Sequence, residues 1–222
     1  MLSSLLHAIF QRLDQQQIEY IILRNYDTLP EKKVGGDIDF LLRRKDVFSF
    51  LTILWEQEVA ITSIAQRIGS INLFLSLSSR SFVQIDLIYE IQYLGIPYLS
   101  IEEILAQRRP YKNFYVGSAK HEYFFHLLPF HFYTGHENEK YTQRQKELYE
   151  DKKQSIDNIH QTIFGSAQRR GKRYFLWKKR SQIFQLTRHY RMELYKYLRQ
   201  PYSQTVVLLG PDGAGKSTIL DQ

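Results

Sequence analysis

Two short strings in this chain carry side chains suited to phosphate chemistry. In Gly35-Gly36-Asp37-Ile38-Asp39-Phe40, two aspartates stand two residues apart. If Asp37–Leu42 is a strand, alternation puts both carboxylates on one face and Ile38 and Phe40 on the other. A third aspartate, Asp86, lies in the run Phe82-Val83-Gln84-Ile85-Asp86-Leu87-Ile88. Supplied by a neighbouring strand, it completes a set of hard oxygen ligands for two Mg²⁺ ions. Such ions activate an attacking hydroxyl and stabilise a leaving pyrophosphate. The second string is Gly210-Pro211-Asp212-Gly213-Ala214-Gly215-Lys216-Ser217-Thr218, which satisfies G-x-x-x-x-G-K-[ST] directly after the apolar run Thr205–Leu209. Its glycines let backbone amides cradle phosphate oxygens of a nucleoside triphosphate. Lys216 is placed for the β/γ-phosphates and the Ser217 hydroxyl for Mg²⁺. A helix opening near Lys216 adds the positive end of its dipole.

The elements around these strings have their own signals. Leu2, Leu5, Leu6, Ile9, Phe10 and Leu13 recur at helical spacing and predict an amphipathic helix over residues 2–17. Glu19–Arg24 reads as a strand, and Asn25–Gly36 as turns around Asp27, Pro30 and Gly35-Gly36. After the strand Asp37–Leu42, Val47–Glu58 reads as a helix with Asp46 near its cap. Three further strands are expected near 60–66, 71–77 and 81–89. Ser100-Ile101-Glu102-Glu103 is a capping-box pattern opening a short helix. Residues 1–115 therefore read as one α/β domain and 116–200 as a helical region, broken near Pro129–Gly135 and stopped at Gly165. Residues 201–222 read as the strand, loop and first helical turns of a phosphate-binding domain.

The order helix, strand, turn, D-x-D strand and later aspartate resembles the polymerase-β-like nucleotidyltransferase superfamily over roughly residues 1–115. The resemblance implies a nucleotidyltransferase-like mixed sheet with helices. It also implies Asp37 and Asp39 as metal ligands and Asp86 as the third catalytic carboxylate. Where the superfamily usually carries Gly-Ser after its first strand, this chain has Arg24-Asn25, and Arg24 is the residue at that turn able to bind a phosphate. The string Gly210–Thr218 resembles the P-loop of thymidylate kinase-like proteins, a likeness covering about the last 18 residues. It implies ATP as phosphoryl donor. A P-loop fold needs further parallel strands and a second acid for Mg²⁺, so the chain is expected to be the front part of a longer kinase-like protein.

Two functions of different class follow. One is an ATP- and Mg²⁺-dependent transferase, a nucleotidyltransferase-like domain fused to a P-loop kinase. The other is a nucleotidyltransferase-fold module without catalysis that binds or regulates. A nucleoside, sugar, lipid-linked glycan, protein or tRNA are all compatible acceptors.

Composition narrows the setting. Of 222 residues 43% are hydrophobic, enough for a packed core, and none is cysteine. Disulfides and thiolate-held zinc or iron–sulfur centres are thereby excluded. No run reaches the 18 or so apolar residues of a membrane span. The N-terminal helix lacks the basic leader and cleavage site of a secretory signal, and a cytoplasmic protein is expected. The net charge of +7 is local, because between Gln168 and Arg199 eleven lysines and arginines stand against the single acid Glu193. That segment interleaves Tyr174, Phe175, Trp177, Phe184, Tyr190, Tyr195 and Tyr197. It reads as an amphipathic linker helix, as a helix lying on an anionic membrane, or as a polyanion-binding stretch. His121, His126, His131 and His136 recur every five residues, a step that spirals around a helix and gathers no metal site.

Overall fold

The chain is described by a computed structural model for residues 2–32, 37–78, 81–133, 139–164, 175–176 and 179–199. It divides into two units, Met1–His189 and Tyr190–Gln222. The second is described only to Arg199, so the P-loop string and its expected strand lie outside the described residues.

The first unit is α/β with a mixed sheet. Its elements run α1 (Leu2–Gln15), β1 (Tyr20–Ile22), β2 (Asp37–Leu42), α2 (Val47–Glu56), β3 (Ala60–Arg67), β4 (Ser70–Ser78) and β5 (Ser81–Ile88). There follow β6 (Ile91–Tyr93), β7 (Ile96–Leu99), α3 (Ile101–Ala106), β8 (Arg109–Tyr111), β9 (Phe114–Val116), α4 (Ala119–Tyr133) and α5 (Glu139–Phe164). A last helix, α6 (Ile183–Arg199), crosses the division between the units. Seven strands form one sheet in the order β3-β4-β5-β2-β1-β9-β8, and β6 and β7 make a separate hairpin. The β2/β5 and β1/β9 pairs are parallel and the other pairs antiparallel.

Alternation along β1 and β2 divides their side chains between two cores. Tyr20, Ile22, Ile38, Phe40 and Leu42 pack with Leu6, Phe10 and Leu13 of α1 and Phe50 of α2. Ile21, Leu23 and Leu41 point the other way, toward Ile104 and Leu105 of α3 and Phe125 of α4. A third cluster joins Tyr93 and Ile96 of the β6–β7 hairpin to Phe124 of α4, Ile156 and Ile163 of α5, and Phe175.

Several boundaries have local causes. Helix α1 stops at Gln15, two residues early, because Gln17 adopts φ 54° and the Ile18 amide bonds back to the Leu13 carbonyl at 2.9 Å. This is a left-handed cap made without glycine, so the sequence carried no warning of it. Asp46 does precede α2, but as the end of a 3-10 turn whose side chain makes no capping bond. Ser100 caps α3 by accepting the Glu103 amide at 3.3 Å, while the Glu103 carboxylate turns to Lys120. Helix α4 continues through Pro129 to Tyr133, and α5 ends at Phe164, just before Gly165. Among the described residues no helix is long and apolar enough to cross a membrane.

Candidate functional site

The two parallel neighbours β2 and β5 determine the site. In their register Asp39 lies opposite Asp86 and Asp37 opposite Gln84. On the far side of β5, Asn72 of β4 lies opposite Asp86. Paired residues share a face, so Asn72, Asp86 and Asp39 form a row across three strands, on the face turned away from α1 and α2. One oxygen from each of Asp37, Asp39 and Asp86 lies within 4.8 Å of the others. An octahedral ion with ligands at 2.0–2.1 Å holds its oxygens about 2.9 to 4.2 Å apart. The donor set is all hard oxygen and needs only a small closure to take one such ion.

Arg24 is already in this site. Its Nη2 and Nε donate to the same oxygen, Asp39 Oδ2, at 2.7 and 3.0 Å. The turn that carries Arg24-Asn25 thus contributes a cation directly to the D-x-D motif. With all three carboxylates ionised, one arginine leaves the row two negative charges in excess. The strain of that excess falls on Asp39, which is only 3% exposed. Burial pushes its carboxyl above the ordinary range, Asp37 and Asp86 add to the rise, and Arg24 opposes it. Gln84 Nε2 donates to Asp86 Oδ1 at 2.8 Å. Asn72 is 6% exposed, and its buried Oδ1 has no hydrogen-bond partner among the described residues.

Beside the row opens a cleft of about 170 Å³. Arg24 belongs to both, lining the cleft while it pairs with Asp39. Leu23, Ile88, Ile91, Tyr98 and Phe125 give the cleft apolar walls. Between the lining residues Ile68 and Ser70, Gly69 has φ +81°, and a Cβ there would meet the Glu90 carbonyl at 2.8 Å. Only glycine lets β4 turn out of β3 that close to the end of β5.

A second charged cluster ties the helices to the sheet. Glu122 of α4 is buried and accepts from Tyr26 Oη at 2.7 Å, Arg109 Nη2 at 3.0 Å and Arg144 Nε at 2.9 Å. Arg109 also donates to the Gly117 carbonyl at 3.0 Å. No local pattern signals this assembly, because its members are spread over 118 residues.

Of the residues singled out from the sequence, Asp37, Asp39, Asp86 and Arg24 are brought together. Gly210, Asp212, Gly213, Ala214, Gly215, Lys216, Ser217 and Thr218 lie outside the described residues. His121 and His126 are buried, and burial pushes both imidazoles down to about 4. His121 Nδ1 meets Ser118 Oγ at 3.0 Å and its ring stacks on Phe125, as a packed core histidine does. The side chains of His131 and His136 lie outside the described residues. In the basic segment Phe175 is buried against Tyr93 and Tyr98, whereas Phe184, Tyr190 and Tyr195 are exposed. Asn72 was missed, although a polar residue between Ile71 and Leu73 in a strand was a signal. No protein-family model matches the chain, and no curated protein matches it either.

Proposed function

We infer that the Asp37–Asp39–Asp86 row is a divalent-cation site of a nucleotidyltransferase-like module. The single observation that supports this is the meeting of three carboxylates within 4.8 Å on paired strands. A bound cation would relieve the mutual repulsion of these carboxylates and favour their ionised forms. Asp37, Asp39 and Asp86 would hold Mg²⁺, which when bound polarises the α-phosphate and neutralises the departing pyrophosphate. The acceptor oxygen bonds to the α-phosphorus, the α–β bridging bond breaks, and pyrophosphate leaves with its electron pair. The acceptor proton passes to the free oxygen of Asp86, whose other oxygen is held by Gln84. Arg24 holds Asp39 until the nucleotide arrives and then transfers its guanidinium to a phosphate. The C-terminal string takes ATP in the same proposal, with Lys216 on the β/γ-phosphates and Ser217 on Mg²⁺.

The Arg24–Asp39 pair also favours a second reading, in which the arginine permanently replaces a cation and the domain only binds or regulates. The two readings separate in one assay. ATP labelled at the α-phosphate is incubated with Mg²⁺ and candidate acceptors, using the wild type, Asp39→Asn and Arg24→Ala. Transfer that is lost in Asp39→Asn supports catalysis. If the wild type transfers nothing and Arg24→Ala binds Mn²⁺ at least tenfold more tightly, the arginine is a resident replacement and the second reading holds.

A further inference from the structure

We propose that β3 is the contact edge of a two-fold homodimer, in which it pairs antiparallel with β3 of a second copy of this chain. The seven-stranded sheet ends in two unlike edges. At one end β8 is three residues long and contains Pro110, which has no amide to donate to a further strand. At the other end β3 runs for eight residues, Ala60–Arg67, all exposed except the half-buried Ile61. It contains no proline, glycine or lysine, and its one charge is the terminal Arg67. Ile64, in the middle of it, is 58% exposed. An edge of that length and composition is a template for another strand.

The sequence of β3 selects the second strand. Ala60-Ile61-Thr62-Ser63-Ile64-Ala65 reads nearly the same in both directions, and a two-fold interface must be complementary to itself. With the axis between Thr62 and Ser63, Ala60 lies opposite the second copy's Ala65, Ile61 opposite its Ile64 and Thr62 opposite its Ser63. In a regular strand this register fails, because residues three apart point to opposite faces. The bulge between Ile61 and Ser63 removes the obstacle. Ile61 pairs with Leu75 and Ile64 with Leu73, two apart on β4, so the extra residue brings both isoleucines to the face that carries the core under α1 and α2. A bulge ordinarily spoils an edge. Here the two-fold axis sets bulge against bulge, with the same number of residues on each side.

Charge agrees with the same register. It brings Glu58, exposed in the turn before β3, to the exposed Arg67 of the second copy, once at each end of the contact. Paired isoleucines, a Thr–Ser pair and opposite charges each stabilise neighbouring strands. Both β3 edges are consumed, and the short Pro110 edge offers no continuation, so the contact closes at two chains. Ala60 and Ala65 lie opposite Ser76 and Asn72 of β4. Pairing them across the axis therefore puts the Asn72–Asp86–Asp39 rows of both copies on one side of a continuous sheet.

The experiment is sedimentation velocity on the full chain from about 1 to about 300 µM, the range in which a small interface dissociates. A reversible equilibrium between monomer and dimer is expected. Ile64→Lys should leave the thermal unfolding midpoint unchanged and weaken dimerisation at least about tenfold. Arg67→Glu sets like charges against each other at both ends and should weaken it about tenfold, whereas Glu58→Arg combined with Arg67→Glu should restore it to within about threefold. That rescue distinguishes this register from any other contact through β3. A chain that stays monomeric throughout overturns the proposal. So does a dimer indifferent to both Ile64→Lys and Arg67→Glu, which would be joined through another surface. Weakening by Arg67→Glu without rescue by the double exchange overturns the proposed register, and open-ended oligomers overturn the two-fold closure.

Discussion

Two regions of this molecule bury carboxylates beside arginines, and they are built in opposite ways. At Glu122 one buried carboxylate is met by Arg109, Arg144 and Tyr26, so both of its oxygens accept hydrogen bonds and its charge is more than matched. At Asp39 three carboxylates stand together, and among the described residues the Arg24 guanidinium bonds to one of them, Asp39. The first arrangement holds β8, α4 and α5 to the turn after β1, with cations in excess of the buried anion. The second is short of positive charge and leaves Asn72 Oδ1 unpartnered beside it. A fully partnered buried network acts as structure, whereas an underpartnered one is a candidate for a ligand, which is the reading proposed for the carboxylate row.

The largest effect that sharpens this comparison is on pH. His126 senses Glu122 and Arg144 from one cluster and Arg24 from the other, and its imidazole is pushed down to about 4, mainly by burial; His121 behaves alike. A histidine with a depressed folded pKa takes up a proton on unfolding. Stability is therefore full above the ordinary value of about 6.5 and is lost as pH falls from there to about 4, by about 3 kcal/mol for each histidine. Urea unfolding at pH 7, 6, 5 and 4 measures this loss, and His121→Asn should remove about half of the dependence. A flat profile would show that these imidazoles are solvated.

Glu122→Gln comes next. It removes the buried anion that Arg109 and Arg144, both nearly half exposed, share, and leaves Arg144 only its longer pair with Glu147. The expected loss is about 2–3 kcal/mol in urea unfolding, below the full penalty of a deeply buried pair because water screens the guanidinium groups. Asp86→Asn, in the other region, has the opposite sign. Relief of like-charge repulsion should raise stability by about 1 kcal/mol, while Mn²⁺ affinity, read by electron paramagnetic resonance, falls more than about tenfold. If both substitutions destabilise alike, the distinction between the regions is lost. The smallest effect is expected at Arg12–Glu56, an exposed pair joining α1 to α2. Glu56→Gln should change stability by less than about 0.5 kcal/mol, and the change should vanish in high salt.

Legibility followed the range of the forces involved. The strands of β2, β4 and β5 and the helix α1 could be read because alternation and helical spacing are local. The β6–β7 and β8–β9 hairpins were harder to read, since the first residue of each tight turn is Leu94 at φ 52° or Lys112 at φ 50°, so that Gly95 and Asn113 stand as lone turn signals. Pro110 in β8 further hid a strand, and it is tolerated because β8 is the sheet edge.

By itself the sequence determined that Asp37 and Asp39 share a face of one strand, that Asp86 lies in another, and that Arg24 closes the strand before them. Strand alternation is a property of the chain alone, so these relations need no partner. Only the tertiary structure decided that β2 and β5 are parallel neighbours with Asp39 opposite Asp86. It also decided that Arg24 bonds to Asp39, and that Glu122 gathers partners from Tyr26 to Arg144. Register and strand order are chosen by how two hydrophobic faces close over the sheet, a sum over the whole core that no local stretch contains.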